Sequence, residues 1–127
     1  NADMLGLKKR CDFVKSDWNL GVTGVFDVVI SNPPYILTQE IACLSPDVAL
    51  YEPLSALDGG ADGLDCYRTI LASLPSLLAL QGIAVFELGA GQLDELQALI
   101  AHTPLAVSGV RHDLAGIARA LVIKHQT

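Results

Sequence analysis

The sequence predicts an α/β fold in which buried strands are sandwiched between helices and the sheet ends in an antiparallel strand pair. Three observations carry this. Hydrophobic residues make up 51% of the chain but aromatics only 6%, so the apolar set is mostly Ala, Val, Leu and Ile, the composition of covered strands. Phe26-Asp27-Val28-Val29-Ile30-Ser31 is a β-branched, nearly all-apolar run, as in a central strand of a parallel sheet. Beyond it, stretches with helical spacing alternate with short apolar runs. With 127 residues the chain suits one domain, residues 1–127, around one core.

Asn1 to Lys9 reads as the last turns of a helix stopped near Gly6. Cys11 to Lys15 is a short strand candidate leading into Ser16-Asp17-Trp18, and a glycine-bearing loop follows. The strand at Phe26–Ser31 is cut off by Asn32-Pro33-Pro34-Tyr35, because consecutive prolines cannot continue a ladder. From Ile36 to Gly63 the signals are turn-like, which makes a long loop of the kind that is usually functional or disordered. Leu64 to Leu80 reads as a helix with Ile70, Leu71, Leu74, Leu77 and Leu78 on one apolar face, kinked or split at Pro75. Gly82 opens a buried strand, Ile83 to Leu88. Leu93 to His102 is a second helix with Leu96, Leu99 and Ile100 inward. Leu105 to Val110 and Ala118 to Lys124 close the sheet.

Charge and cysteine usage narrow the partner classes. The net charge is −6, whereas a protein that grips phosphate backbones is normally basic, so direct nucleic-acid binding is not expected. No apolar run reaches the ~20 residues of a membrane span. Cys11, Cys43 and Cys66 are odd in number and form no CxxC pair, which points to a reducing, cytoplasmic setting. His102, His112 and His125 lack metal-ligand spacing, so no metal site is expected. The chain opens at Asn1 rather than at a methionine, from which an upstream portion is expected.

The chemistry lies in Asn32-Pro33-Pro34-Tyr35. Ligands of open α/β sheets bind beyond the carboxyl ends of the strands, where this tetrapeptide falls. Asn32 and Pro33 each precede a proline and are therefore pushed toward extended geometry. Carbonyls there are free to accept hydrogen bonds from a ligand. An amide or amino NH2 group is a poor nucleophile because its lone pair is delocalised, and it offers two N–H donors. The Asn32 side-chain oxygen and the Pro33 carbonyl would hold that nitrogen and favour the positive charge that builds on it during alkylation. Tyr35 would supply a flat face for a planar group. As a bare turn, Asn-Pro-Pro-Tyr is ordinary chemistry; directly after an apolar strand it is a specific signal.

Phe26 to Ile36, FDVVISNPPYI, resembles motif IV of the class I amino methyltransferases. Tyr51-Glu52-Pro53-Leu54-Ser55-Ala56-Leu57, followed by Gly59-Gly60-Ala61-Asp62-Gly63-Leu64, narrows the resemblance to the HemK (PrmC) family of protein-(glutamine-N5) methyltransferases. Asn1-Ala2 with Leu5-Gly6-Leu7, Asp17-Trp18, Phe86-Glu87-Leu88-Gly89 with Gln92, and Asp113-Leu114-Ala115-Gly116 with Arg119 are similar too. The resemblance spans nearly the whole chain. It implies the C-terminal portion of a catalytic domain: a partial Rossmann-like sheet without its first two strands. It also implies transfer of a methyl group from S-adenosylmethionine to a glutamine in the Gly-Gly-Gln motif of peptide-chain release factors. Asn32 and Pro33 would be catalytic, Asn32 to Tyr35 together with Glu52 would bind the glutamine, and Asp17, Trp18 and Asn32 would approach the methyl donor.

The family's glycine-rich donor loop and following acidic residue do not occur in these residues. Ala118 also stands where the family usually has an aspartate. Glu87-Leu88-Gly89-Ala90-Gly91 could be read as that glycine loop, which would describe a permuted DNA or RNA amino (adenine-N6 type) methyltransferase. A non-catalytic truncated fragment is a further reading. If Cys11–Lys15 and Phe26–Ser31 are both strands, each exposes an unpaired edge, and repair is expected by direct pairing or by self-association of two copies.

Overall fold

The computed structural model describes the backbone of residues 1–127 and the side chains of all but Ala49 and Leu50. Four strands form one sheet in the order β1-β2-β4-β3: β1 (Phe26–Ser31), β2 (Leu78–Glu87), β3 (Leu105–His112) and β4 (Ala118–His125). β1 and β2 run parallel, and the other neighbours are antiparallel. Parallel strands need a crossover. It is supplied by a long loop holding the short helix α1 (Pro46–Tyr51), followed by α2 (Asp65–Leu77). A third helix, α3 (Leu93–Ala101), links β2 to β3.

Helical spacing decides which face is covered. Tyr67, Leu71 and Leu74 of α2 and Leu96 and Ile100 of α3 are buried in one cluster with Ala84, Phe86, Leu105, Leu121 and Ile123 of the sheet. Both helices thus lie on the sheet face that carries Val29 and Ala84, neighbours across the β1–β2 ladder. The opposite face, where Val28 meets Ile83 and Ile30 meets Val85, carries no helix among the described residues. Ile30 is 77% exposed there, so the expected sandwich has only one of its covers.

The expected strands and the two longer helices from Phe26 onward hold with small boundary changes, while the expected loop from Ile36 to Gly63 contains α1 and short 3₁₀ stretches. β2 starts at Leu78, directly after α2, not at Gly82. Phe26 pairs with Leu78 and Val28 already with Ile83, so Ala79 to Gly82 bulge out of the ladder and the regular strand begins where the apolar run does. Pro75 sits inside α2, which is not split and ends two residues later at Leu77. At the start no α-helix is formed: residues 2–6 are hydrogen-bonded turns, in which the N–H groups of Leu5 and Leu7 donate to the carbonyls of Asn1 and Ala2, and Gly6 has φ +69°. A 3₁₀ turn, Lys8–Arg10, follows.

Cys11 to Lys15 is not a strand, and every residue in it is exposed. A strand is stabilised by its ladder, and this segment has no partner among the described residues. The expected direct pairing between it and β1 is therefore absent, and β1 forms one edge of the sheet.

Candidate functional site

The site is built where β1 ends. Asn32 is exposed, Pro33 is buried, and Pro34 and Tyr35 are half-buried. No described backbone N–H donates to the Pro33 carbonyl. Two hollows meet at Asn32. One, of about 450 Å³, lies on the uncovered sheet face against Ile30, Val85, Glu87 and Arg119. The other, of about 120 Å³, is a cleft between Asn32–Ile36 and the Ala56–Leu57 segment.

The loop is held from three sides. The Ile36 N–H donates to the Leu57 carbonyl at 3.0 Å, and the Gly59 N–H donates back to Ile36 at 2.8 Å, a parallel bridge between the two segments. The Tyr35 hydroxyl donates to Glu87 Oε1 at 3.2 Å. Burial and the Glu87 carboxylate both raise the Tyr35 pKa, so it keeps its proton and remains a donor. From beneath, the Gln92 side-chain NH2 donates to the carbonyls of Tyr35 (3.1 Å) and Gly63 (3.2 Å), while its oxygen accepts from the Gly89 N–H (2.9 Å).

The Gly59–Gly63 segment is shaped to this approach. Gly63 has φ +75°, and a Cβ on it would stand 2.6 Å from both the Tyr35 carbonyl and the Gln92 amide. Only glycine combines that conformation with that contact. Carboxylates fix the rest of the loop. Asp58 accepts from the Thr38 hydroxyl at 2.7 Å and from the Gly60 N–H at 2.9 Å. Asp62 pairs with Arg68 at 2.6 Å and caps the Leu64 N–H at 3.1 Å. The guanidinium hydrogen bond pulls the Asp62 pKa down to about 2. At the base of the site, the fully buried Tyr67 hydroxyl donates to the Glu87 carbonyl at 2.7 Å and ties α2 to the end of β2.

The other residues singled out from sequence are spread around this centre. Trp18, 37% exposed, lines a groove of about 350 Å³ together with Ile30 and Ser31, the residues just before Asn32, and with Ile70 and Leu74 of α2. Its φ of +52° is unusual for a bulky residue. The conformation is held by a turn in which the Leu20 N–H donates to the Asp17 carbonyl at 3.0 Å and the Ser16 hydroxyl donates to the Trp18 carbonyl at 2.7 Å. Asp17 is exposed in that turn and does not line the groove. Glu52 is exposed at the end of α1 and is not among the residues lining the cleft at Asn32.

Sequence reading gave no role to Glu87 or Gln92. Their partners lie 52 and 57 residues away in the chain, and no local pattern reports such a contact. The permuted reading of Gly89 also loses its footing. That glycine is buried, its N–H is spent on Gln92, and a Cβ on it would meet the Tyr35 ring at 2.9 Å. It serves the Asn-Pro-Pro-Tyr loop instead of an open cofactor loop.

No family model matches the chain. Individual proteins do. A release factor glutamine methyltransferase of Rhodospirillum rubrum is 44% identical over 126 residues, which cover 99% of this chain and 39% of that protein. Proteins of the same name from Gloeobacter violaceus and Agrobacterium fabrum are 43% and 36% identical over 125 and 124 residues. The chain spans about two fifths of the length of these curated relatives and matches their C-terminal part.

Proposed function

The chain is related to the C-terminal part of release factor glutamine methyltransferases, and on that premise we propose that Asn32 to Tyr35 present a glutamine side chain of a release factor for methylation at its amide nitrogen. The observation that carries this is the pair of acceptors at the end of β1. The Pro33 carbonyl accepts no described backbone N–H, and the exposed Asn32 side chain stands where two hollows meet. The cleft of about 120 Å³ has room for a carboxamide side chain.

The chain's residues would act as follows. The Asn32 side-chain oxygen and the Pro33 carbonyl each accept one N–H of the substrate NH2, which aims the nitrogen lone pair away from the loop. As the nitrogen bonds to carbon it gains positive charge, and the two acceptors stabilise that charge more than they stabilise the neutral amide. Tyr35 walls the site, with its hydroxyl tied to Glu87. The nitrogen loses its surplus proton after the transfer, so no strong general base is required. Glu52 would border the approach of the protein substrate from α1.

S-adenosylmethionine, when bound, supplies the electrophilic methyl group. The apolar groove beside Trp18 would take the flat part of such a donor, with Asn32 one residue beyond Ser31; Asp17, outside the groove lining, would reach the donor only from the turn that holds Trp18. The acidic balance of the chain favours a protein substrate over a phosphate-rich one. A cytoplasmic setting agrees with unpaired cysteines, and no helix among the described residues is long and apolar enough to cross a membrane. The uncovered face of β1 and β2 would be satisfied by a second copy or by further protein.

The test is methyl transfer to a purified release factor by a protein in which these residues stand in place of the C-terminal part of the Rhodospirillum rubrum relative, so that the donor-binding part is supplied, followed by mass mapping. A methyl group on a glutamine side chain supports the reading. Methylation of adenine in DNA or RNA instead, or of no substrate at all, would overturn it for this chain.

A further inference from the structure

Gln92 makes contacts that the chemistry above does not use. A primary amide has one acceptor oxygen and two N–H donors, and here each is spent on a different segment. The oxygen takes the Gly89 N–H after β2; the NH2 donates to Tyr35 in the Asn-Pro-Pro-Tyr loop and to Gly63 in the loop before α2. The base of the side chain is itself fixed, because the Leu96 N–H donates to the Gln92 carbonyl at 3.0 Å and so starts α3. Two of its three contacts are made to glycines with no room for a Cβ. One added to Gly63 or Gly89 would stand 2.6 or 2.7 Å from the Gln92 amide.

We propose that Gln92 is a positioning residue that sets the depth of the Asn32–Tyr35 loop over the reaction site by holding the Tyr35 carbonyl. The proposal rests on the reading of that loop as the holder of the substrate nitrogen. Tyr35 is pinned at both ends, its carbonyl by Gln92 and its hydroxyl by Glu87, so its ring and the preceding Asn32 have one defined placement. Glutamate cannot replace Gln92 in this role, because its carboxylate would face two carbonyls with no N–H to give. Methionine would fill the space and hold nothing.

The experiment uses the full chain and its Gln92→Met and Gln92→Glu variants, with Asn32→Ala as the arm that tests the loop's chemistry. In the wild type, both Gln92 side-chain NH2 protons exchange with solvent more slowly than those of the exposed Gln81. In Gln92→Met, NMR resonances of Asn32 to Tyr35 shift while those of the β3–β4 pair stay in place, a pattern that general destabilisation does not give. With these residues standing in for the C-terminal part of the Rhodospirillum rubrum relative, single-turnover methylation of a release factor, counted per folded molecule, falls about 10- to 100-fold in both variants with the half-saturating concentration of release factor unchanged.

The proposal is overturned if Gln92 exchanges as fast as Gln81, if the loop resonances do not move, or if they move and the rate does not. Should both variants fail to fold, the exchange measured in the wild type decides. Should Gln92 behave as stated while the wild type transfers no methyl group, or Asn32→Ala transfers as well as wild type, the positioning stands and the reading of the loop fails.

Discussion

Asn32 carries the sharpest single-residue expectation. Replacing it with alanine removes one of two acceptors and leaves an N–H of the substrate unpaired. This would cost roughly 2–4 kcal/mol of transition-state stabilisation, or about 10²–10³ in rate. Asn32→Asp keeps an oxygen in about the same place and should retain clearly more activity than alanine, short of wild type because it brings a net negative charge. Single-turnover methylation by the three proteins, each with these residues in place of the C-terminal part of the Rhodospirillum rubrum relative, separates the cases, and equal, measurable rates for alanine and wild type would reduce the motif to a turn. Gly63 gives a stability test at the same scale. Alanine there would meet the Tyr35 carbonyl in a left-handed conformation, and a loss of about 1–3 kcal/mol in denaturant melts is expected. The acceptor tetrapeptide was legible because two prolines after an apolar strand have few structural options. Glu87 and Gln92 were not, since what they do depends on a strand and a helix start that meet the loop only in three dimensions.

Among the elements, β1, α2, α3 and the β3–β4 pair could be placed from periodicity alone, because burial of one face imposes the spacing. Leu71 and Leu74 are 4% and 1% exposed, and truncating either to alanine should cost about 2–5 kcal/mol in thermal or urea unfolding. The loop from Ile36 to Gly63 reads as turns, and it contains a 3₁₀ stretch at Thr38–Cys43 and one short helix, α1, both too brief to show a period. Asp58 and Asp62 help fix it, and Asp113 plays the same part in the turn between β3 and β4. Asp58, Asp62 and Asp113 all have folded pKa values below the ordinary aspartate range: Asp58 through the Thr38 hydroxyl, Asp62 through Arg68, and Asp113 through backbone N–H of Ile117 and then Arg119. A depressed carboxylate binds protons more weakly in the folded state, so the stability it confers is present above the unfolded pKa. It is lost as pH falls through the folded value, about 2 for Asp62. Unfolding midpoints should therefore drop between pH 5 and pH 2, and Asp62→Asn should flatten that slope. An unchanged slope in the variant would remove Asp62 from the account.

For the molecule as a whole, the failure of Cys11–Lys15 to form a strand and the bare face of the sheet have one cause. An apolar strand stretch is specified by its own sequence, but its ladder and cover are specified by whatever packs beside it. Val28 and Ile30 are 52% and 77% exposed on a strand at the sheet edge. We propose that this arrangement favours association: the expected outcome is that sedimentation shows copies of this chain associating and that Ile30→Lys removes the association without lowering the melting temperature, whereas a monomeric wild type would overturn it. The same reasoning bears on the methyl donor. The groove at Trp18 offers an apolar wall for a ring. The sequence, however, holds no glycine-rich loop free to approach the methionine part, because Gly89 is committed to Gln92 and Tyr35. Binding energy for the donor would then come from stacking alone, which falls far short of the affinity a complete site provides. Calorimetry on these 127 residues should show weak or no binding of S-adenosylmethionine, with any residual heat lost in Trp18→Ala. Low-micromolar binding that survives Trp18→Ala would mean that the donor sits elsewhere, and the hollow against Glu87 and Arg119 would then be the place to look.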